Sequence, residues 1–128
     1  MNFHATALEW AGVLRTALPV TTELVAVELG AGWAPWLVAL AHAARLKGIQ
    51  RVRLVGVEGS KPHCDYMYSH FADNGIDPAQ HVLLHGVVGI ADGMAEFPIL
   101  SDPAADWGSP AVSASDSSRR PTDRKSVV

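Results

Sequence analysis

The feature that most constrains this chain is an apolar segment that runs directly into two closely spaced glycines and then into a helical pattern. Residues Leu24–Leu29 form a short, valine-rich run that ends in Gly30-Ala31-Gly32, as expected of a buried parallel strand that enters a tight turn. Over Pro35–Lys47 the apolar residues recur at helical spacing; Pro35 suits the first turn and Gly48 suits a C-terminal cap. The segment therefore predicts a strand, a glycine turn and a helix.

The same order of elements repeats along the chain. Arg51–Val57 predicts a second strand, Lys61–Asn74 predicts a helix with Ser60 as its N-cap, and Val82–Val88 predicts a third strand. An amphipathic helix is also predicted over Ala5–Leu18. This alternation predicts an α/β fold with a Rossmann-like, three-layer parallel sheet and right-handed helical crossovers.

Beyond the third strand the pattern changes twice. Asp92-Gly93 predicts a hairpin turn into an antiparallel strand over Met94–Ile99, in which Pro98 suits an edge position. From residue 109 onwards serine, proline and charged residues dominate, and no hydrophobic period is left. We therefore expect a Rossmann-like domain over residues 1–108 and a disordered polar tail over residues 109–128.

Composition narrows the functional classes. Hydrophobic residues make up 48% and charged residues 18% of the 128 residues, which is compatible with a packed core. The formal net charge of -3 provides no field that would hold a phosphate backbone, so a nucleic-acid partner is not expected. The sequence has neither a signal-peptide pattern nor an apolar stretch of about 18 residues. With Cys64 as its single cysteine, the chain is expected to be cytoplasmic.

The glycine turn is the first candidate binding site. Glycines at positions 30 and 32 let the backbone approach a ligand without a Cβ in the way, and the following helix offers unpaired N–H groups at its start. A bound nucleotide is therefore expected here. The dinucleotide pattern G-x-G-x-x-G requires a third glycine where this chain has Pro35, which disfavours NAD. Trp33, beside the turn, could cover a cofactor with its aromatic face; a purely structural turn is the alternative.

Glu58 is the second candidate. It follows the second strand, next to the strand that leads into the glycine turn. A carboxylate at this position can accept hydrogen bonds from both hydroxyls of a ribose. The alternative is a solvated carboxylate in a loop, because its distance in sequence from Gly30 exceeds the roughly 20 residues typical of dinucleotide sites.

Three segments, VELGAGWAPWLVALAHAA, RVRLVGVEGSKPHCDYMYSHF and HGVVGIADGMAEFPI, together resemble the FkbM-type branch of class I S-adenosylmethionine-dependent methyltransferases, over about Val25–Gly108. The resemblance implies a Rossmann-like methyltransferase fold, S-adenosylmethionine as methyl donor, and O-methylation of a sugar or natural-product hydroxyl. It also implies these contacts: Glu28 near the methionine part, Gly30 and Gly32 beneath the donor, Glu58 on its ribose, and Val87 and Val88 lining the adenine site.

One part of the family's pattern is missing. The sequence contains nothing that reads as the family's fourth strand, which lies beside the first, or as the strands that follow it. We therefore expect an incomplete, N-terminal portion of the domain, whose first strand is an exposed edge with uncovered valine and leucine side chains. An oligomer or a partner chain could complete the sheet. A catalytically inactive remnant or S-adenosylmethionine-binding module is the alternative function, and an NAD-dependent oxidoreductase is a further one.

The remaining side chains assign neither a metal site nor a catalytic residue. Five of the ligand type fall within a short span: His63, Cys64, His70, His81 and His85. Their spacing does not bring ligands together tetrahedrally, so no metal is expected. His63 or His70 could act as a general base on an acceptor hydroxyl, and a half-buried structural histidine is the alternative. Trp107 is predicted to anchor the tail.

Overall fold

The computed structural model describes residues 7–111 and the backbone of residues 122–127. In chain order, its elements are α1 (Ala7–Thr16), β1 (Glu23–Leu29), α2 (Pro35–Leu46), β2 (Arg51–Glu58), α3 (Lys61–Asp73), a short 3₁₀ helix (Pro78–Gln80), β3 (Val82–Val87), β4 (Gly93–Pro98) and β5 (Thr122–Val127).

Five strands form one sheet in the order β1-β2-β3-β5-β4. β1, β2 and β3 are parallel neighbours, and a helix lies between each strand and the next along the chain. Leu29 is in register with Val57, and Glu58 with His85, so the carboxyl ends of the three strands meet at one edge of the sheet. The predicted α/β fold with a Rossmann-like beginning is confirmed.

The hydrophobic core lies between one face of the sheet and the helices α2 and α3. Leu24, Ala26 and Leu54 are buried on this face, which we call the covered face. At Gly56, a Cβ would lie 2.6 Å from Met67 Sδ of α3 and 3.4 Å from Leu37 Cδ1 of α2. The two helices therefore meet above β2, where the absence of a side chain makes room for both.

The opposite face, which we call the open face, is largely uncovered. On β1 it carries Val25, Val27 and Leu29, which are 61%, 59% and 60% exposed. Val82 and Leu84 of β3 are also exposed on this face, whereas Val57 of β2, in register between Leu29 and Leu84, is buried. β1 is an end strand of the sheet. The predicted exposed edge with uncovered valine and leucine side chains is therefore confirmed.

The antiparallel strand predicted after the third parallel strand is present as β4, but the predicted hairpin is wrong. β4 pairs antiparallel with β5, and β5 pairs parallel with β3. The turn at Asp92-Gly93 therefore joins two strands that are not neighbours. β4 obtains from β5 the backbone hydrogen bonds that a hairpin would have supplied. Pro98 does lie on an end strand, as predicted.

The region predicted to be a disordered tail differs from that prediction in one stretch. Thr122–Val127 form β5, paired on both sides, whereas residues 112–121 and residue 128 lie outside the described residues. A strand is held by its backbone hydrogen bonds, so a polar composition without hydrophobic alternation gave no signal for it. The division of the chain at residue 108 stays a prediction.

None of the helices that the structure describes combines the length and the apolar character needed to cross a bilayer.

Candidate functional site

A cavity of about 390 Å³ lies at the carboxyl ends of the parallel strands. Gly30, Glu58, Val87 and Val88, four of the predicted site residues, line it. In open α/β sheets this edge, outside the carboxyl ends of the strands, is where ligands bind. The cavity therefore lies where the sequence predicts a nucleotide.

The glycine turn at the end of β1 is built from three left-handed residues. Gly30, Gly32 and Ala34 have φ values of 68°, 57° and 56°. The Ala31 N–H donates to the Val57 carbonyl at 2.9 Å, which fastens the turn to the end of β2. Ala34 adopts the glycine-type conformation although a Cβ disfavours it by about 1–2 kcal/mol. The alanine thus keeps the turn geometry that a last glycine would have provided.

Glu58 is a buried carboxylate held by two backbone donors. It is 6% exposed; its Oε2 accepts from the Gly32 N–H at 2.8 Å and its Oε1 from the Ser60 N–H at 2.7 Å. The alternative interpretation, in which Glu58 is a solvated carboxylate in a loop, is therefore wrong. Each oxygen of a carboxylate has a second lone pair, so Glu58 can accept further hydrogen bonds from a ligand in the cavity.

Glu28 lies at the same end of β1 but serves the helix that follows. Its Oε2 accepts from the Leu37 N–H at 3.1 Å, in the first turn of α2. Ala34, the N-cap of α2, has no side chain that could do this. Burial raises the pKa of Glu28 from 4.5 to about 7, against the opposing effect of backbone hydrogen bonds from Leu37 and Trp36. Glu28 is therefore a half-buried cap of α2, and it is not among the described residues that line the cavity.

Trp33 turns away from the cavity towards α3. Its ring lies 4.6 Å from that of His70 and tilted by 58°, and its carbonyl accepts from His70 Nδ1 at 2.8 Å. Burial lowers the pKa of His70, with the Trp33 hydrogen bond opposing that shift. The structure therefore places Trp33 and His70 against each other, and neither is among the described residues that line the cavity.

The residues that line the cavity without having been assigned to the binding site from the sequence include His63 and Trp107. Their rings stack in parallel, with centroids 4.3 Å apart and planes 5° apart. His63 Nε2 lies 2.7 Å from the Pro103 carbonyl; a carbonyl only accepts, so Nε2 carries the proton. His63 Nδ1 lies 3.9 Å from Glu58 Oε1. The contact spans some forty residues of sequence, and no local pattern would have revealed it.

Among the described residues, no three His, Cys, Asp or Glu side chains converge in a way that could hold a metal ion.

The chain is 36% identical over 107 residues to a protein of Jannaschia sp. (strain CCS1) described as "Putative methyltransferase". The match covers 84% of this chain and 38% of that protein, so the chain spans less than half the length of this relative. The two are distant homologues over that region. No protein-family model and no solved structure matches the chain.

Proposed function

We propose that this chain is the donor-binding part of an S-adenosylmethionine-dependent methyltransferase. The observation that carries the proposal is the Glu58 carboxylate, buried beside a cavity of about 390 Å³ and fixed by N–H groups from both the glycine turn and the start of α3. The distant homology to the Jannaschia protein supports the same class of reaction.

The donor site that we propose has three parts. Glu58 accepts hydrogen bonds from the ribose hydroxyls, because it combines free lone pairs with a fixed position. Gly30 and Gly32 let the backbone approach the donor, and Val87 and Val88 offer an apolar wall to its adenine. S-adenosylmethionine, when bound, supplies a sulfonium methyl group that an acceptor oxygen can take.

Glu28 and Trp33 have supporting roles in this proposal. Glu28 fixes the start of α2, and with it the shape of the glycine turn. Trp33 and His70 pack the far side of the turn against α3. No general base is assigned. His63 already donates from Nε2 to the Pro103 carbonyl, and His70 is engaged with Trp33.

For the acceptor we propose a hydroxyl of a saccharide or small natural product, following the FkbM-type resemblance. Transfer to such an oxygen depends mainly on positioning the two reactants. The matched region is only 38% of the length of the relative. We therefore assign the donor site to this chain and leave the acceptor site to parts of a complete enzyme that the match does not include.

One observation favours a second candidate function, a binding module without catalysis of its own. The open face of β1 to β3 exposes valine and leucine side chains where a complete three-layer sheet would be covered. If a partner chain or a second copy completes the sheet at β1, the exposed face is compatible with a methyltransferase. An NAD-dependent oxidoreductase is less well supported, because Pro35 begins α2 where a dinucleotide site has its third glycine.

The test is calorimetric titration of the purified chain with S-adenosylhomocysteine, alongside NAD. We expect saturable binding of S-adenosylhomocysteine that is lost in Glu58→Gln, because an amide presents only one acceptor atom where two N–H groups require two. Glu23→Gln, at the other end of β1, is the matched control and should bind as the wild type does. Far-UV circular dichroism shows whether each variant is folded.

A folded wild-type chain that gives no heat with S-adenosylhomocysteine would contradict the donor assignment. Tighter binding of NAD than of S-adenosylhomocysteine would favour the oxidoreductase. Equal binding by wild type and Glu58→Gln would remove Glu58 from the site.

A further inference from the structure

The segment from Asp102 to Ser109 is a compact turn beside the cavity. The Asp102 carbonyl accepts from the N–H groups of Ala105 and Asp106, both at 3.1 Å. Trp107 Nε1 donates to the Ala104 carbonyl at 2.8 Å. The polar atom of the indole is thus hydrogen-bonded within the turn. A neighbouring group can therefore contact the faces and the carbon edges of the ring.

The turn is fastened to the site through His63. This histidine is 4% exposed, lies in the first turn of α3, and both stacks on the Trp107 ring and donates to the Pro103 carbonyl. Because the His63 ring is itself buried beside Glu58, it provides a fixed platform for the indole. Trp107 is therefore held in one place by a stacking contact and a hydrogen bond to its own turn.

The Trp107 ring lies beside the glycine turn. A Cβ built on Gly32 would lie 3.4 Å from Cε3 of the indole, at van der Waals distance. The N–H of the same glycine donates to Glu58. Trp107, Gly30 of the glycine turn and Glu58 all line the cavity.

The lining of the cavity is chemically mixed. Glu58 offers carboxylate oxygens, Val87, Val88 and Phe97 offer apolar surface, and the rings of His63 and Trp107 also line the cavity. A ligand that uses all of these groups carries vicinal hydroxyls and a flat ring, as a purine nucleoside does. Aromatic side chains bind such bases by stacking on their π faces.

Resting on the proposed function, we propose that Trp107 is a binding residue of this cavity, whose indole packs against the purine base of the ligand, and that His63 is the positioning residue that holds the indole. This assignment replaces the sequence-based expectation that Trp107 only anchors the tail.

The test titrates wild type, Trp107→Phe and Trp107→Leu with S-adenosylhomocysteine and with adenosine. The leucine keeps apolar bulk but removes the aromatic face, so both ligands should bind at least about tenfold more weakly. The phenylalanine keeps an aromatic face and should retain most of the affinity. Trp10→Leu, a tryptophan of α1 in contact with Trp36, is the matched control and should bind as the wild type does.

The role of His63 has a spectroscopic readout. A fixed indole gives a near-UV circular dichroism band, which the difference between wild type and Trp107→Leu identifies. His63→Ala should lose this band and weaken adenosine binding, while His63→Phe, which keeps a ring to stack on, should restore part of both. Unchanged band and affinity in His63→Ala would show that His63 does not position the indole.

The outcomes separate this inference from the proposed function. Binding of both ligands with equal affinity by wild type and Trp107→Leu would overturn the inference and leave the donor site standing. Tighter binding by Trp107→Leu would also overturn it, because the indole would then occupy the place of the ligand. A folded wild type that binds neither ligand would overturn the proposed function, and the inference with it.

Discussion

The two faces of the sheet carry similar residues but lie in opposite environments. On β1, Leu24 and Ala26 of the covered face are buried under α2, while Val25 and Val27 of the open face are more than half exposed. The alternation of side chains along a strand places these neighbours on opposite sides. Hydrophobicity alone therefore does not tell which residues of β1 contribute to stability; the helices that pack on them do.

The two faces also differ in how completely they are packed. The covered face, with the glycine turn and Glu58 at its end, forms a complete packing unit in which helices, strands and caps support one another. The open face has an apolar surface of the kind that proteins usually bury. Substitutions on the two faces and at the glycine turn test this difference.

The largest effect is expected in the covered core. Phe71 of α3 is fully buried, so Phe71→Ala should lower the free energy of unfolding by about 3–5 kcal/mol through lost burial and the cavity left behind. Urea denaturation followed by circular dichroism measures it. Leu46→Ala, at an exposed position of α2, is the control and should change little. A loss below about 1 kcal/mol for Phe71→Ala would mean that this core is not packed as described.

The second prediction concerns the half-buried carboxyl group of Glu28, which caps α2. With the pKa of Glu28 raised from 4.5 to about 7, the folded state binds a proton that the unfolded state has released between these pH values. Stability should therefore fall as pH rises from about 4.5 to 7, by up to about 3 kcal/mol, and then level off. Urea midpoints at pH 5 and pH 8 measure the difference.

Glu28→Gln is the variant that isolates this effect. The amide keeps an oxygen that can accept from the Leu37 N–H but has no proton to release, so the fall in stability between pH 5 and pH 8 should largely disappear. Asp92→Asn removes an exposed carboxyl in the turn before β4 and should leave the fall in place. The same fall in Glu28→Gln as in wild type would assign the pH dependence to another group.

The third prediction compares the two glycines of the turn, where β1 leaves the sheet. Both have positive φ; a Cβ on Gly30 would meet nothing within 4 Å, and one on Gly32 would lie 3.4 Å from the Trp107 ring, which is ordinary van der Waals distance. Gly30→Ala and Gly32→Ala should therefore each lower the free energy of unfolding only by the backbone strain of about 1–2 kcal/mol. Urea denaturation followed by circular dichroism measures both. A larger loss for Gly32→Ala that disappears in the Trp107→Leu background would mean that the indole restricts position 32.

The sequence predicted most of the strands of the covered face and the helices that pack on it, because the sequence signals for these elements are local. Hydrophobic periodicity located α2, β2 and α3 to within a residue or two, and Ser60 is the N-cap of α3, as predicted. Glu58 was placed correctly at the end of β2 for the same reason. The hydrogen bond that Glu58 accepts from the Gly32 N–H follows from parallel strands that end at one edge of the sheet, whereas the one from Ser60 is local.

The failures of prediction all involve partners that are distant in sequence. The turn at Asp92-Gly93 suggested a hairpin, but β5, some thirty residues later, lies between β3 and β4. Trp107 and His63 meet through the fold and not through a motif. In each case the local pattern was compatible with several partners. The predicted place of Glu28 near the methionine part of the donor stays a prediction.

The smallest effect is expected on the open face. Val27 is 59% exposed, and threonine has nearly the same shape and suits a strand, so Val27→Thr should change the free energy of unfolding by less than about 0.5 kcal/mol. Val38→Thr makes the same replacement at a 5% exposed position of α2 and should cost about 1–3 kcal/mol, because a hydroxyl is buried there. The difference between these two losses of stability measures how differently the two positions are packed. An equal loss of stability in Val27→Thr and Val38→Thr would mean that another chain or a second copy covers the open face in solution. The donor site would then belong to a complex, and the covering chain would have to be identified.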